Sequence, residues 1–254
     1  MITQKDVTNA GAGRGKIAAD KVAVVTGGSR GIGLAIAEAL VVSGARVVIT
    51  GRDDGALADA VRHASLTSES GAVHPVRADV RDPGDAARAI DEAVSKFGGL
   101  DILVNNAGVG RFANVAETSA TEWQEVIDTN LSGVFYCCHA AIPRLRQRGG
   151  GWIINISSLA SKNPFAGGAA YSATKAGLNA FTEALMQEVR FDNIRVSYIL
   201  PGSVATGFGG RGSSGDADWK LAPEDVAECV IDLIAHPARS LPSRIELRPS
   251  RPKK

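Results

Sequence analysis

A chain of 254 residues with 44% hydrophobic side chains suits one large α/β domain, and 29 glycines imply tight turns between many short elements. A formal net charge of +1 gives no footprint for nucleic acid or an anionic membrane, and no stretch is apolar for long enough to span a bilayer. Three cysteines, Cys137, Cys138 and Cys229, with no Cys-x-x-Cys spacing, argue against a disulfide framework or a zinc site and read as reduced, packed thiols.

Residues 1–20 are polar and read as a flexible lead-in to a single domain over 21–254. They contain no apolar run of the signal-peptide kind, so a cytoplasmic location is expected. Residues 22–26 form a short β-branched run suited to burial on both faces of a parallel sheet. A glycine turn follows, then helix-period residues Leu34, Ile36, Ala37, Leu40 and Val41, a stop at Gly44, and a second strand over 46–50. Strand, glycine turn, helix and strand make a βαβ unit, the context in which such a turn binds a dinucleotide. Gly27 and Gly31 let the backbone turn tightly beside a ligand, and Gly33 removes a side chain where helix meets strand. With Ser29, Arg30 and Ile32 they form the candidate pyrophosphate cradle, facing the helix's N–H groups.

After the second strand stands Gly51-Arg52, where NAD-binding folds commonly place a carboxylate for the ribose 2′-hydroxyl. Arg30 and Arg52 offer guanidinium donors suited to a 2′-phosphate, so NADP(H) is expected over NAD(H), while Asp53 one position on keeps NAD(H) open. A helix over 55–70 and a strand over 73–78 lead to Asp79 and Val80, where an adenine ring would lie. Pro83 opens a helix to Phe97, and a strand over 100–104 closes in Asn105, Asn106, Ala107 and Gly108, a loop fit for close passage of a cofactor.

One long helix is expected over 121–147, with Asn130 interrupting its apolar face and Pro143 loosening its end. His139 has no partner at metal spacing and reads as structural; no metal site is expected. A strand over 152–156 delivers Ser158 to the C-terminal edge of the sheet, where open α/β folds bind ligands. The next helix carries Tyr171 and Lys175, four apart and therefore on one face. Free tyrosine titrates near 10, and lowering that to about 7 takes roughly 4 kcal/mol. One positive charge about 4 Å away at an effective dielectric of about 20 supplies that much, so Lys175 is expected to depress the phenol. A strand over 194–200 ends in Pro201 and Gly202, followed through Val204 and Thr206 by a glycine-rich loop over 203–220, read as a lid. A helix over 223–236 and a strand over 245–247 complete the chain.

The glycine turn from Thr26 to Gly33, Asn105-Asn-Ala-Gly108, Asn130, Ser158, Tyr171-x-x-x-Lys175 and Pro201-Gly202, in this order, resemble the short-chain dehydrogenase/reductase family. The resemblance covers residues 21–247. It implies a single Rossmann-type doubly wound α/β fold, about seven parallel strands in the order 3-2-1-4-5-6-7 with helices on both faces. It also implies Asn130, Ser158, Tyr171 and Lys175 as the catalytic set, with Thr206 at the nicotinamide carboxamide. The remaining cofactor contacts it implies fall on Asp79, Val80, Asn106, Ala107, Gly108, Tyr171, Lys175, Pro201, Gly202 and Val204. The expected function is NADP(H)-dependent interconversion of a small-molecule carbonyl and alcohol in a homo-oligomer, dimer or tetramer, with a 3-oxoacyl thioester as the working substrate. Two readings keep the fold without the reaction: a redox sensor that binds cofactor without turnover, and a scaffold subunit.

Overall fold

The computed structural model describes residues 16–65, 71–210 and 218–252. Its strands are β1 (Val22–Val25), β2 (Arg46–Gly51), β3 (Val73–Arg77), β4 (Ile102–Asn105), β5 (Gly151–Ile156), β6 (Ile194–Pro201) and β7 (Arg244–Leu247). Between them run helices α1 (Gly31–Val42), α2 (Asp54–Ser65), α3 (Pro83–Phe97), α4 (Ala120–Ile127), α5 (Gly133–Gln147), α6 (Ala169–Val189) and α7 (Pro223–Ala235). All pairings are parallel, and the seven-stranded sheet runs β3-β2-β1-β4-β5-β6-β7, the order expected from the family resemblance.

The strands are unbroken apolar runs because helices cover both faces. Side chains alternate along β1, so Ala23 and Val25 enter one core cluster while Val22 and Val24 enter the other. The first cluster is closed by Ile36 and Leu40 of α1, Leu57 of α2 and Val230 of α7. The second is closed by Ile90 of α3, Val134 and Leu145 of α5, and Leu178 of α6. Helix ends follow local chemistry. Asp82 accepts the Asp85 N–H at 2.9 Å ahead of Pro83, and Gly98, at φ 84°, ends α3. α1 stops before Gly44, at φ 96°.

The helix expected over 121–147 is instead α4 and α5, joined by a π-helical turn over Asp128–Ser132 with Asn130 at its centre. Such a widened turn releases helix carbonyls and is frequent at functional sites. Pro143 does not end α5, which continues to Gln147. Of the expected lead-in, residues 1–15 lie outside the described residues, whereas Ala18 is fully buried and its N–H reaches the Ser43 carbonyl at 2.9 Å. Residues 66–70 of the expected second helix and 211–217 of the expected lid also lie outside them. Among the described residues no helix is long and apolar enough to cross a membrane, and no cluster of His, Cys, Asp and Glu could hold a metal.

Cys137 and Cys138 pack in the second cluster, where burial pushes the Cys137 thiol up to about 12 and Cys138 higher still. A thiolate is the reactive form. A thiol reagent at pH 8 should therefore leave both untouched in native protein, at most the half-buried Cys229 reacting there, and the count should reach three after unfolding in guanidinium. Rapid native modification of three thiols would contradict this packing.

Candidate active site

The loops at the C-terminal ends of β1, β4, β5 and β6 converge beside the point where strand order reverses between β1 and β4. Gly27 and Gly31 have φ of 63° and 55°, a left-handed conformation that side chains disfavour. A Cβ on Gly33 would stand 2.2 Å from the Gly27 carbonyl oxygen and 2.4 Å from Asn106 Nδ2, so no side chain fits there. α1 starts with no side-chain cap at Arg30, leaving its first N–H groups to an outside anion. These features fit a dinucleotide pyrophosphate.

The Asn106 side chain braces the glycine turn. Its Nδ2 donates to the Thr26 and Gly27 carbonyls at 3.0 and 3.1 Å, while its backbone N–H and that of Ala107 both donate to Thr26 Oγ1 at 3.0 Å. The β4 loop thus holds the glycine turn. At the far end, Arg52, Arg77, Asp79, Asp85 and Arg88 line one cleft. Asp53 is committed to helix capping, its Oδ1 accepting the Ala56 N–H at 2.7 Å. Both Asp79 carboxylate oxygens accept from Arg81 Nε at 3.0 Å, and this pairing holds the carboxyl below its ordinary range. The Asp79 N–H is taken by Asp85 Oδ2 at 2.8 Å, and Val80 is buried beside it.

On α6, Lys175 Nζ lies 5.8 Å from the Tyr171 ring centroid and donates to the Ile156 carbonyl at 2.8 Å. Burial drives the Lys175 ammonium down to about 8. Burial also raises the Tyr171 phenol above its ordinary value, opposed by a hydrogen bond with the Ser158 side chain. The expectation of a phenol depressed by Lys175 is therefore corrected: the ammonium is aimed at a β5 carbonyl, and desolvation of the phenolate dominates.

Ser158 Oγ accepts the Ala160 N–H at 3.1 Å, which leaves its own proton to be donated. The loop bearing it is fastened to α6. Ser161 Oγ donates to the Ser158 carbonyl at 2.6 Å, Asn179 Nδ2 donates to Ser161 Oγ at 2.8 Å, and Ser157 Oγ donates to Asn179 Oδ1 at 2.6 Å.

Asn130, fully buried, accepts the Val109 N–H at 2.8 Å and donates to the Val109 carbonyl at 2.9 Å and to Thr174 Oγ1 at 3.2 Å. Thr174 Oγ1 in turn donates to the Tyr171 carbonyl at 2.8 Å. A Cβ on Gly108 would stand 3.3 Å from Asn130 Oδ1 and 3.9 Å from Lys175 Nζ, so the β4 loop, the π turn and α6 meet here. Thr174 and Asn179 escaped the sequence reading; their signal was position on the buried faces of the Tyr171 helix.

Thr206 comes against the glycine turn, its Cγ2 3.4 Å from a Cβ placed on Gly31. Pro201 ends β6, the Gly202 N–H reaches the Leu247 carbonyl at 2.8 Å, and Val204 forms a bridge with Leu221. The rings of Phe112 and Phe208 lie 5.7 and 5.6 Å from that of Tyr171, contacts that no sequence spacing announces.

The family model for short chain dehydrogenases matches residues 21–215. An uncharacterized oxidoreductase of Staphylococcus saprophyticus is 36% identical over 234 residues, covering 91% of this chain and 97% of that protein. A metagenomic short-chain oxidoreductase, solved in complex with NADP, superposes with a TM-score of 0.81 at 35% identity, covering 93% of this chain and 100% of that one. An alcohol dehydrogenase from the archaeon Thermococcus sibiricus, complexed with 5-hydroxy-NADP, does so with a TM-score of 0.83 at 30% identity, covering 92% and 99%. With the glycine cradle, the parallel sheet and these likenesses together, the chain belongs to the short-chain dehydrogenase/reductase family and is an oxidoreductase acting on CH–OH and C=O groups.

Proposed function

We propose that the protein uses NADP(H) to interconvert a carbonyl compound and its alcohol, with Asn130, Ser158, Tyr171 and Lys175 as the working residues. The observation that carries this reading is the Tyr171 phenol, held where the Ser158 side chain acts on it and one helical turn from a buried lysine. A bound nicotinamide supplies or accepts the hydride at the carbonyl carbon. Ser158 donates its spare proton in a hydrogen bond to the substrate oxygen and orients it. Tyr171, kept neutral by burial, gives its proton to that oxygen in reduction and takes it back in oxidation. Lys175 ties α6 to β5 and, with two further protons and Gly108 close by, would hold the nicotinamide ribose. Asn130 fixes the Val109 backbone and, through Thr174, the turn that carries Tyr171.

Support for NADP(H) over NAD(H) comes from the second strand's end. Asp53, the carboxylate next in sequence, has its Oδ1 on the α2 cap, whereas Arg52 is exposed at the cleft and Arg30 at the glycine turn. The NADP and 5-hydroxy-NADP bound by the two solved relatives point the same way. A hydrogen bond to a charged group is worth about 1.5–3 kcal/mol. Arg52→Ala should accordingly raise KM for NADPH at least about tenfold and leave KM for NADH within about twofold. Equal effects on both cofactors, or wild-type preference for NADH, would overturn the assignment.

A 3-oxoacyl thioester gains little support at the mouth, where Arg111 is held by Glu125 at 2.8 and 2.9 Å and so is engaged before any carrier phosphate arrives. We further infer a homo-oligomer from the half-exposed rings of Trp123 on α4 and Phe135 on α5, and a cytoplasmic setting from three unpaired thiols.

A further inference from the structure

We propose that the substrate carries an apolar ring, seated among Phe112, Phe165 and Phe208, on the arm beyond its carbonyl; this rests on the carbonyl–alcohol reading above. The three phenylalanines come from three separate segments, after β4, β5 and β6, and meet at one place. Phe112 lies 5.7 Å from the Tyr171 ring, 5.8 Å from Phe165 and 6.4 Å from Phe208, and Phe208 lies 5.6 Å from Tyr171.

Glycines make the convergence possible. A Cβ on Gly110 would stand 2.7 Å from both the Phe112 and Phe208 rings, and one on Gly168 would stand 2.7 Å from the Phe165 ring. Gly209, at φ 74°, would place a Cβ 2.5 Å from the Phe112 ring. Any side chain at these positions would displace a ring. Despite this packing, Phe165 and Phe208 remain 45% and 40% exposed. Exposed aromatic surface grouped at the mouth of a catalytic cleft matches an apolar ligand.

Among the described residues, the two charged groups that line this mouth have partners. Arg111 pairs with Glu125, and Glu122 accepts the Ser119 N–H at 3.0 Å and the Ser119 hydroxyl at 2.8 Å. The faces of the three phenylalanines offer a sugar alcohol's hydroxyls no hydrogen bond, so that part of the mouth favours an apolar ring over a polyol.

The test compares 4-phenyl-2-butanone with 2-butanone as substrates of the NADPH-loaded full chain. Both present the same methyl ketone, so intrinsic reactivity is matched and the ring is the variable. Burying a phenyl ring removes on the order of 100 Å² of apolar surface from water, which predicts a kcat/KM ratio of at least about tenfold in favour of the ring. In Phe165→Ser and Phe208→Ser, whose rings are exposed enough that folding should survive, that ratio should fall at least about fivefold. A wild-type ratio within about twofold of one, or a ratio unmoved in both variants, would overturn the proposal. Ring binding is read separately by thermal shift of the NADPH complex, where 4-phenyl-2-butanone should raise Tm more than 2-butanone in wild type but not in the variants. That pattern without turnover of either ketone would strike the carbonyl–alcohol reading and leave the ring site standing. No difference in Tm between the two ketones would overturn the ring site itself.

Discussion

Lys175→Met is expected to lower kcat at least about 10²-fold, in the range lost with general acid–base support. The substitution leaves an unbranched side chain one atom shorter but removes the donor to the Ile156 carbonyl and the charge one turn from Tyr171. It should also change how stability responds to pH. In the folded chain Lys175 titrates near 8 instead of the ordinary 10.5, because burial penalises its charge. Below pH 8 both states hold the proton and the cost of burying it is fully present. Between pH 8 and 10.5 the unfolded chain binds more protons than the folded one, so this group's contribution to stability rises with pH. From pH 8 to 10 wild type should gain about 2 kcal/mol relative to Lys175→Met, read as the difference between urea unfolding curves. The buried cysteines act in the opposite direction, since their raised values disfavour the folded state above about pH 9, but they cancel in the difference. Parallel curves for the two proteins would show that Lys175 is not a desolvated cation.

Much of the fold was legible because its signals are local. Strands buried on both faces demand uninterrupted Val and Ile, and the runs before Thr26 and Thr50 are of that kind. The limits of α3 follow from one aspartate, one proline and one glycine, each acting within a single turn of backbone. The long helix was half legible: Asn130 marked the disturbance, but only the widened turn shows that the amide is spent on Val109 and Thr174.

The site was legible as a set of residue types at set spacings, and less so as directions. A spacing of four positions puts Tyr171 and Lys175 on one face, yet nothing in that spacing says that the ammonium points at Ile156. Asp53 sits one position beyond the usual ribose carboxylate, and its commitment to the α2 cap appears only once the helix start is fixed. The Asn106 side chain braces the glycine turn through a contact across about 80 residues of chain, which its place after the fourth strand does not announce. The phenylalanines around Tyr171 were illegible for the same reason. Residues 112, 165 and 208 share no periodicity, and only the sheet's topology brings their loops together.

Tyr171→Phe removes one oxygen and keeps the ring that packs against Phe112 and Phe208, so the fold should persist. Ser158 loses its phenol partner but keeps the Ala160 N–H. With no acid to meet the developing alkoxide, kcat should fall at least about 10²-fold, and further if Ser158 cannot relay a proton from water. Because the wild-type phenol lies above its ordinary value, it stays protonated through neutral pH and serves as the acid in reduction there. The decisive measurement is single-turnover NADPH oxidation by wild type and Tyr171→Phe at pH 7 with a saturating ketone, alongside NADPH Kd on the same samples. The account predicts a rate at least about 10²-fold lower with Kd changed by less than about threefold; an undiminished rate at unchanged Kd would contradict it.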